Sequence, residues 1–359
     1  MVIHQLLPRF DAGDAVSSQA IAIRDALRDH GYESHVYAQR TDEFGARDGR
    51  PEEAYRPYME SGEDILIYHY LFFCNNYQMY LETSNRKILI YHNITPPEFY
   101  EEFDPETARF CRMGRELLPR LSACDLALGV SDFNRRDLVA AGFAEERTGV
   151  LPISPSGQLT GAPEDPALLA RLRDGKLNLL FVGRVVPNKR VDDLVRLFRH
   201  YHHNVNASSR LIVVGSLANA YADYVIDLAK RFQLDDKILF LGKVDDAALK
   251  TCYTSSHFYV SMSEHEGFCV PLLEAFSFGL PVLAYAAGAV PETMGDAGVL
   301  CAEKDLDLLA EMVENLRRDP LARERIVDAQ RDRLRDFSHE AFLARLDQYI
   351  GPFLGGEAR

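Results

Sequence analysis

The stretch "LLFVGRVVPNKRVDDLV", residues 179–195, decides how the second half of the chain is expected to fold. An uninterrupted apolar run ends at Gly183, a short basic loop with a Pro-Asn turn follows, and then apolar residues recur at helical spacing. A buried strand that leads through a loop into a helix is half of a βαβ unit. The stretch therefore predicts a parallel sheet that is covered by helices.

The same succession of apolar runs and helix-like segments extends outward in both directions. In the first segment, Ser17 or Ser18 is expected to cap a helix that Gly31 ends, and Ser131 is expected to cap a later one. Strands that alternate with helices indicate parallel sheets buried on both faces. We therefore predict an α/β protein with two doubly wound, Rossmann-like domains that face each other across a cleft. The predicted strands are "MVIHQL", "YESHVYA", "DILIYHY", "KILIYHNI" and "DLALGVS", then "LNLLFVG", "RLIVVG", "KILFLG", "HFYVSM", "PVLAY" and "AGVLC".

The Pro- and Gly-rich loop "LPISPSGQLTGAPEDP", residues 151–166, is the predicted domain boundary. It separates an N-terminal domain over residues 1–155 from a C-terminal domain over residues 156–335. Residues 336–359 contain a helix-like stretch that either stays on the second domain or crosses back to the first.

Composition narrows the class of function. The 359 residues carry a formal net charge of −14, which argues against a nucleic-acid-binding surface. The six cysteines form no CxxC pair and no zinc-like spacing, so a reducing cytoplasmic location is expected. No secretory signal and no apolar stretch of membrane-spanning length is evident.

Ligands of open α/β sheets bind beyond the carboxyl ends of the strands, so the residues that follow the strands are the candidates. Arg184 comes directly after Gly183, and Lys189 follows the Pro-Asn turn. Two cations at this place suit a diphosphate, which needs positive charge and several hydrogen-bond donors. The alternative is a solvated basic loop.

The second candidate is "SEHEGFCVPLLEAF", residues 263–276, which follows the strand "HFYVSM". Pro271 suits a first helical turn, so a helix is expected to begin near Val270 with its free N–H groups directed at an anion. Glu274 lies one turn further among apolar residues, where a carboxylate is costly unless it is hydrogen-bonded. We predict that Glu274 accepts hydrogen bonds from a vicinal diol such as a ribose. The alternative is an acid favoured by the helix dipole.

The first half offers weaker candidates. His92 ends a predicted strand and can donate to a phosphate or hydroxyl or support proton transfer, and His69 ends a neighbouring strand in the same way. Gly13, in the first strand-to-helix loop, allows a close backbone approach to a ligand. Asp305 and Asp307 are interpreted as first-turn acids of a helix, and no residues are predicted to bind a metal.

Together these residues resemble the retaining glycosyltransferases of family four (glycosyltransferase group 1), which have the GT-B fold. The likeness is most specific over residues 177–300, where the Gly-Arg…Lys loop at Gly183 and the E-x7-E signature occur. The resemblance implies that Arg184 and Lys189 grip the donor diphosphate. It also implies that Glu266 lies near the donor sugar and that Glu274 binds the ribose.

The remaining roles also rest on this resemblance. His92 would line the donor-sugar pocket, and the base would lie near Lys243. Phe268, Cys269 and Val270 would offer backbone N–H groups to sugar and phosphate. Three positions depart from the family pattern. Cys269 stands where the family often has Gly, Lys189-Arg190 stands for its Lys-Gly step, and Gly13-Asp14 stands for its N-terminal Gly-Gly loop. Because an acid would repel a diphosphate, Asp14 is expected to face the acceptor sugar.

The implied activity is transfer of a hexose, with retention of anomeric configuration, from GDP-mannose or a UDP-hexose to a hydroxyl of a saccharide or glycolipid acceptor. No metal and no cofactor besides the donor is expected. A sugar phosphorylase and a non-catalytic nucleotide-sugar-binding module are the alternatives. The apolar and basic segment "ETARFCRMGRELLPRL" raises peripheral contact with the inner face of the membrane as a lesser hypothesis, against a solvated helix face.

Overall fold

In the computed structural model, residues 1–155 and 157–354 are described, and they divide into two compact units. The first unit contains residues 1–97 and 106–154, and residues 337–354 belong to it as well. The second unit contains residues 98–105 and 155–336. Each unit is built around one parallel sheet.

The sheet of the first unit has seven strands in the order β3-β2-β1-β4-β5-β6-β7. All five predicted strands are present, and every pairing is parallel. The additional strands β3 and β7 have two and three residues, too few to give a sequence signal. The strands are β1 (Ile3–Phe10), β2 (Val36–Thr41), β3 (Arg50–Pro51), β4 (Ile65–Tyr70), β5 (Arg86–Tyr91), β6 (Leu126–Gly129) and β7 (Thr148–Val150).

The sheet of the second unit has six strands in the order β10-β9-β8-β11-β12-β13, and all six were predicted. The pairing is again parallel throughout. The two sheets confirm the predicted α/β class. The strands are β8 (Leu177–Val182), β9 (Ser209–Val214), β10 (Ile238–Gly242), β11 (Phe258–Ser261), β12 (Val282–Tyr285) and β13 (Val299–Cys301).

Helices connect most of these strands, and within the described residues their bounds are as follows. The helices are α1 (Ala15–Asp29), α2 (Glu43–Asp48), α3 (Tyr77–Glu82), α4 (Pro105–Leu117), α5 (Asp132–Ala140), α6 (Gln158–Gly161), α7 (Pro166–Leu172), α8 (Val191–His200), α9 (Ala220–Arg231), α10 (Asp246–Thr254), α11 (Val270–Ser277), α12 (Val290–Met294), α13 (Leu306–Arg318), α14 (Pro320–Arg335) and α15 (His339–Ile350).

The caps of two helices test the sequence reading directly. Ser131 caps α5 as predicted and accepts a hydrogen bond from the backbone N–H of Asn134. The prediction that Ser17 or Ser18 caps α1 was wrong, because the cap is Asp14. The Asp14 carboxylate accepts hydrogen bonds from both the N–H and the hydroxyl of Ser17, so the helix begins one turn earlier.

Two segments join the unit that is remote from them in sequence. Residues 98–105, which the sequence had placed in the domain over 1–155, belong to the second unit, because Phe103 packs edge-on against Tyr221 at 5.1 Å between ring centroids. Helix α15 belongs to the first unit, where the Tyr349 hydroxyl accepts a hydrogen bond from the backbone N–H of Val150. Residues 355–359 of the predicted terminal segment lie outside the described residues.

Three neighbouring strands of the second sheet end in glycines with positive φ: Gly183, Gly215 and Gly242 follow or end β8, β9 and β10. At Gly215, with φ of 141°, a Cβ atom would lie 1.9 Å from the carbonyl oxygen of Gly183. At Gly242, with φ of 69°, a Cβ would meet nothing within 4 Å. Of these three glycines, only Gly215 therefore combines a positive φ with a close approach to the backbone of another strand end.

We predict that Gly215→Ala lowers the free energy of unfolding of the second unit by about 3 kcal/mol or more, because strain and overlap add. Gly242→Ala is the matched control, since it introduces the left-handed strain alone, about 1–2 kcal/mol. Thermal and urea unfolding of both variants would measure the difference. Equal losses in the two variants would mean that the contact with Gly183 does not matter.

Candidate active site

The loops after β8 and β11, neighbours in the second sheet, meet in an ion pair. Lys189 Nζ lies 2.5 Å from Glu266 Oε2, and the two side chains are 18% and 6% exposed. These residues are separated by 77 positions in the sequence and were predicted to serve the diphosphate and the sugar separately. The structure instead brings them into direct contact at the carboxyl edge of the sheet.

Asn188, which the sequence reading did not select, holds the same two loops together. Its side-chain amide donates to the backbone carbonyl of His265 at 3.0 Å, and the backbone carbonyl of Asn188 accepts from the N–H of Glu264 at 2.8 Å. The Tyr100 hydroxyl donates to Asn188 Oδ1 at 3.3 Å, from the segment 98–105 of the same unit. Asn188 is buried in the structure, but the sequence signalled only a Pro-Asn turn, which also fits an ordinary turn.

A network of ion pairs surrounds this junction. The Arg190 guanidinium contacts the carboxylates of Asp192, Asp193 and Glu264 at 3.1–3.2 Å. Lys304 Nζ bridges Asp193 and Glu264 at 2.9 and 2.7 Å. Nearby negative charges raise the pKa of Arg190 against the opposing effect of its burial. The network fixes the loop after β8 to the loop after β11 a second time.

Two of the positions that depart from the family pattern have left-handed backbone. Arg190 has φ of 49° and ψ of 45°, and Cys269 has φ of 73° and ψ of 64°. Glycine adopts this region without steric cost, which explains why it is common at both places in the family. The Cys269 thiol is buried against Glu266, and burial followed by the charge of Glu266 raises its pKa well above the ordinary value.

The backbone around Cys269 is held by hydrogen bonds from α12 and from the loop before it. The N–H of Ala289 donates to the carbonyl of Glu266 at 2.9 Å, and the Thr293 hydroxyl donates to the carbonyl of Phe268 at 2.6 Å. A Cβ at Gly288 would lie 2.5 Å from the Glu266 carbonyl oxygen, so this approach requires glycine. Helix α11 begins at Val270, as predicted.

Arg184 and Lys243, which follow β8 and β10, are both exposed. Within residues 1–155 and 157–354, neither side chain makes a hydrogen bond or an ion pair. Arg184 therefore keeps all its guanidinium donors for a ligand, unlike Lys189, whose charge is already balanced by Glu266.

Glu274 has one protein partner for its carboxylate. The Tyr253 hydroxyl donates to Glu274 Oε2 at 2.7 Å, and no other hydrogen bond to this carboxylate comes from the described residues. Burial raises the pKa of Glu274 above its ordinary value of 4.5, the Tyr253 hydrogen bond opposes the rise, and the charge of Asp246 adds to it. A carboxylate that is destabilised and half satisfied is typical of a binding residue.

In the first unit, His92 follows β5 and lies against His69, with 2.9 Å between His92 Nε2 and His69 Nδ1. His69 is fully buried, so it cannot meet a ligand itself. Burial lowers the pKa of His92 to about 3, which makes it neutral at physiological pH. Gly13, with φ of 71°, precedes Asp14, whose carboxylate caps α1 rather than standing unused.

Comparison with known proteins shows which family the second half of the chain is similar to. Residues 170–333 match the model of the glycosyl transferases group 1 family, which confirms the predicted resemblance. Over 276 residues the chain is 26% identical to the O-antigen chain mannosyltransferase B of Escherichia coli, covering 74% of this chain and 67% of that protein. Four other curated relatives are matched over only 36–41% of their length.

Solved structures agree on the fold. The Anabaena protein Alr3699/HepE in complex with UDP and glucose superposes with a TM-score of 0.73 at 16% identity, over 98% of this chain and 100% of that one. WaaG, a glycosyltransferase involved in lipopolysaccharide biosynthesis, gives a TM-score of 0.74 at 14% identity, over 99% and 100% of the two chains. The chain has the GT-B fold.

Two features are absent from the described residues. None of the helices is long and apolar enough to cross a membrane. No group of three or more His, Cys, Asp or Glu side chains is arranged to hold a metal ion.

We predict that Asn188→Ala lowers the free energy of unfolding by about 2–3 kcal/mol, because it deletes both hydrogen bonds of a buried side chain, the one to the His265 carbonyl and the one from the Tyr100 hydroxyl. Tyr100→Phe is the matched control, since it removes the 3.3 Å bond to Asn188 but keeps the bond from Asn188 to His265, and it should cost about 1 kcal/mol or less. Urea unfolding measures both. A smaller loss in Asn188→Ala than in Tyr100→Phe would contradict the role of Asn188 in holding the two loops together.

We predict that Glu274→Gln stabilises the fold at neutral pH and weakens donor binding. Because the folded pKa is raised, the folded chain binds more protons than the unfolded chain between the two pKa values, so wild-type stability falls as pH rises through that window. The variant should lack this fall, and its Tm should exceed that of the wild type increasingly from acidic to neutral pH. Tyr253→Phe, which removes the compensating hydrogen bond, should lower the Tm at neutral pH. A Glu274→Gln Tm below that of the wild type at every pH would contradict the assignment.

Proposed function

We propose that this protein is a retaining, metal-independent hexosyltransferase that uses a nucleoside-diphosphate sugar. The observation that carries the proposal is the contact between Lys189 and Glu266, which joins a cationic loop and the E-x7-E loop at one point of the carboxyl edge. The family match over residues 170–333 supports the reaction class. No cofactor besides the donor is part of the proposal.

The proposed roles follow from what each side chain leaves available. Arg184 binds the diphosphate with its unpaired guanidinium, and the vacant oxygen of Glu274 accepts from the ribose diol. Lys189 and Glu266 act as a pair, in which the lysine faces the departing phosphate and the glutamate faces the sugar. Lys243, after β10, lies on the side of the base.

In the proposed reaction the bond between the anomeric carbon and the phosphate oxygen breaks, and a bond to the acceptor oxygen forms on the same face. The acceptor proton passes to the departing phosphate, so no protein base is required. The diphosphate gains negative charge as it leaves, and cations placed against it stabilise the transition state more than the ground state.

The donor is GDP-mannose or a UDP-hexose. The first choice is suggested by the mannosyltransferase of Escherichia coli, and the second by the UDP and glucose in the Anabaena complex. The acceptor is a hydroxyl of a saccharide or of a lipid-linked saccharide. The site of action is the cytoplasm, with peripheral contact at the inner face of the membrane for a lipid-linked acceptor. Exposed Arg109, Arg112 and Arg120 on and after α4 suit such contact.

The experiment offers GDP-mannose and UDP-glucose separately, with saccharide and lipid-linked acceptors, and measures free nucleoside diphosphate and the anomeric configuration of the product. Transfer with retention, undiminished by a chelator, is the expected result. Donor consumption that requires inorganic phosphate would indicate a phosphorylase instead. Binding of donor without nucleotide release under any acceptor condition would indicate a binding module.

We predict that Arg184→Ala lowers kcat/KM by about 10²–10³-fold, the loss typical of one preorganised charge donor, with an unchanged Tm because the side chain is exposed and unpaired. Arg325→Ala, another exposed arginine of the second unit, is the matched control and should leave both quantities unchanged. Wild-type activity in Arg184→Ala would place the diphosphate elsewhere.

Lys189→Ala should behave differently from Arg184→Ala. Removing the lysine leaves the buried Glu266 carboxylate without its partner, and breaking such a pair costs about 3–5 kcal/mol. Its Tm should therefore fall together with its activity. A thermal melt beside the steady-state assay separates the two variants, and a Lys189→Ala protein as stable as the wild type would contradict the structural role of the pair.

A further inference from the structure

A chain of three buried or half-buried side chains runs across β1, β4 and the end of β5 in the first unit. Gln5 Nε2 donates to the carbonyl of Ala20 at 2.8 Å, and Gln5 Oε1 lies 2.9 Å from His69 Nε2. His69 Nδ1 lies 2.9 Å from His92 Nε2. Gln5 and His69 are both 0% exposed, so each of these contacts is shielded from water.

The hydrogen-bond directions in this chain follow from its first member. The contact with the Ala20 carbonyl requires the amide nitrogen of Gln5 on that side, so its oxygen faces His69. An amide oxygen only accepts, and therefore His69 Nε2 carries the proton. A neutral His69 then presents Nδ1 as an acceptor, and burial lowers its pKa well below the ordinary value, which keeps it neutral.

The same reasoning passes to the next ring. Because His69 Nδ1 accepts, His92 Nε2 must carry the proton and donate it. His92 is neutral, so its one N–H is used, and Nδ1 is left as a lone pair. This nitrogen is buried and has no hydrogen-bond partner among the described residues. His92 therefore has no N–H to donate to a phosphate, which was one of the roles expected from the sequence.

We propose that Gln5 and His69 are positioning residues that lock His92 in its Nε2–H tautomer, so that Nδ1 serves as an acceptor for a hydroxyl of the sugar substrate. A buried nitrogen lone pair without a donor costs free energy, and a ligand hydroxyl that donates to it recovers that cost. A phosphate oxygen, which offers another lone pair, is disfavoured at the same place. The functional half of this proposal rests on the proposed sugar transfer, while the tautomer does not.

The wild-type chain provides the first test. The protein is labelled with 15N in its histidine rings, and the His92 signals are identified by their loss in His92→Gln. Long-range 15N–1H spectra should show a neutral His92 with a protonated Nε2 and an unprotonated Nδ1 across neutral pH. A protonated Nδ1 or an imidazolium would overturn the proposal without any variant of Gln5.

The second test addresses the positioning role. Gln5→Met keeps the size of the side chain and removes the acceptor, so His69 is free to protonate Nδ1, and the Nδ1–H form of His92 should appear. His69→Phe removes the acceptor of His92 itself and should have the same effect. His4→Phe is the control: His4 is a buried histidine on β1 that takes no part in this series of hydrogen bonds, so the variant should leave the His92 spectrum unchanged. A pure Nε2–H tautomer in both Gln5→Met and His69→Phe would show that neither residue fixes it.

The third test joins the tautomer to the substrate. UDP-glucose or GDP-mannose, whichever is turned over, should shift the His92 Nδ1 signal, and UDP or GDP alone should not. Gln5→Met should lower kcat/KM about tenfold, as expected for one lost hydrogen bond. Turnover without a shift would overturn the hydroxyl assignment and leave the proposed function intact. The expected tautomer without any sugar transfer would overturn the proposed function and leave the positioning role intact.

Discussion

The ion pair between Lys189 and Glu266 is the contact on which the geometry of the second unit's candidate site depends. A buried pair of this kind contributes little net stability, because desolvation of both charges opposes their attraction. It does specify one arrangement, since opening it would leave the Glu266 carboxylate, which is 6% exposed, without its cationic partner. Asn188 and the Arg190 network hold the same two loops by uncharged and charged contacts, so the site is determined several times over.

The left-handed residues Arg190 and Cys269 show how this arrangement is reached without the glycines common in the family. Each costs of order 1–3 kcal/mol of backbone strain. Arg190 offsets the strain with three ion pairs that a glycine cannot make, and Cys269 offsets it by burying its thiol. The side chains at these two positions are therefore part of the loop connections, and changing either one to glycine would exchange strain for lost contacts.

The sequence predicted the features that local patterns encode. Short apolar runs predicted eleven strands, and Pro271 predicted the start of α11, because periodicity and cap chemistry act within a few residues. It did not predict the contact of Lys189 with Glu266 across 77 positions or the hydrogen bonds by which Asn188 joins the two loops, since tertiary packing alone brings these residues together. The expectation for Asp14 was that it faces the acceptor sugar; its role as the cap of α1 was not predicted, because Ser17 and Ser18 offer equally suitable cap oxygens.

What distinguishes the candidate ligand residues is the bonding capacity that the protein leaves unused. In the described part of the chain, the carboxylates of Asp192, Asp193 and Glu264 are all ion-paired, whereas Arg184 has no partner and Glu274 has one for two oxygens. His92 ends a chain of directed hydrogen bonds on a bare lone pair. A cation, a carboxylate oxygen and a neutral acceptor complement a diphosphate, a diol and a hydroxyl respectively. A nucleoside-diphosphate sugar contains all three of these groups.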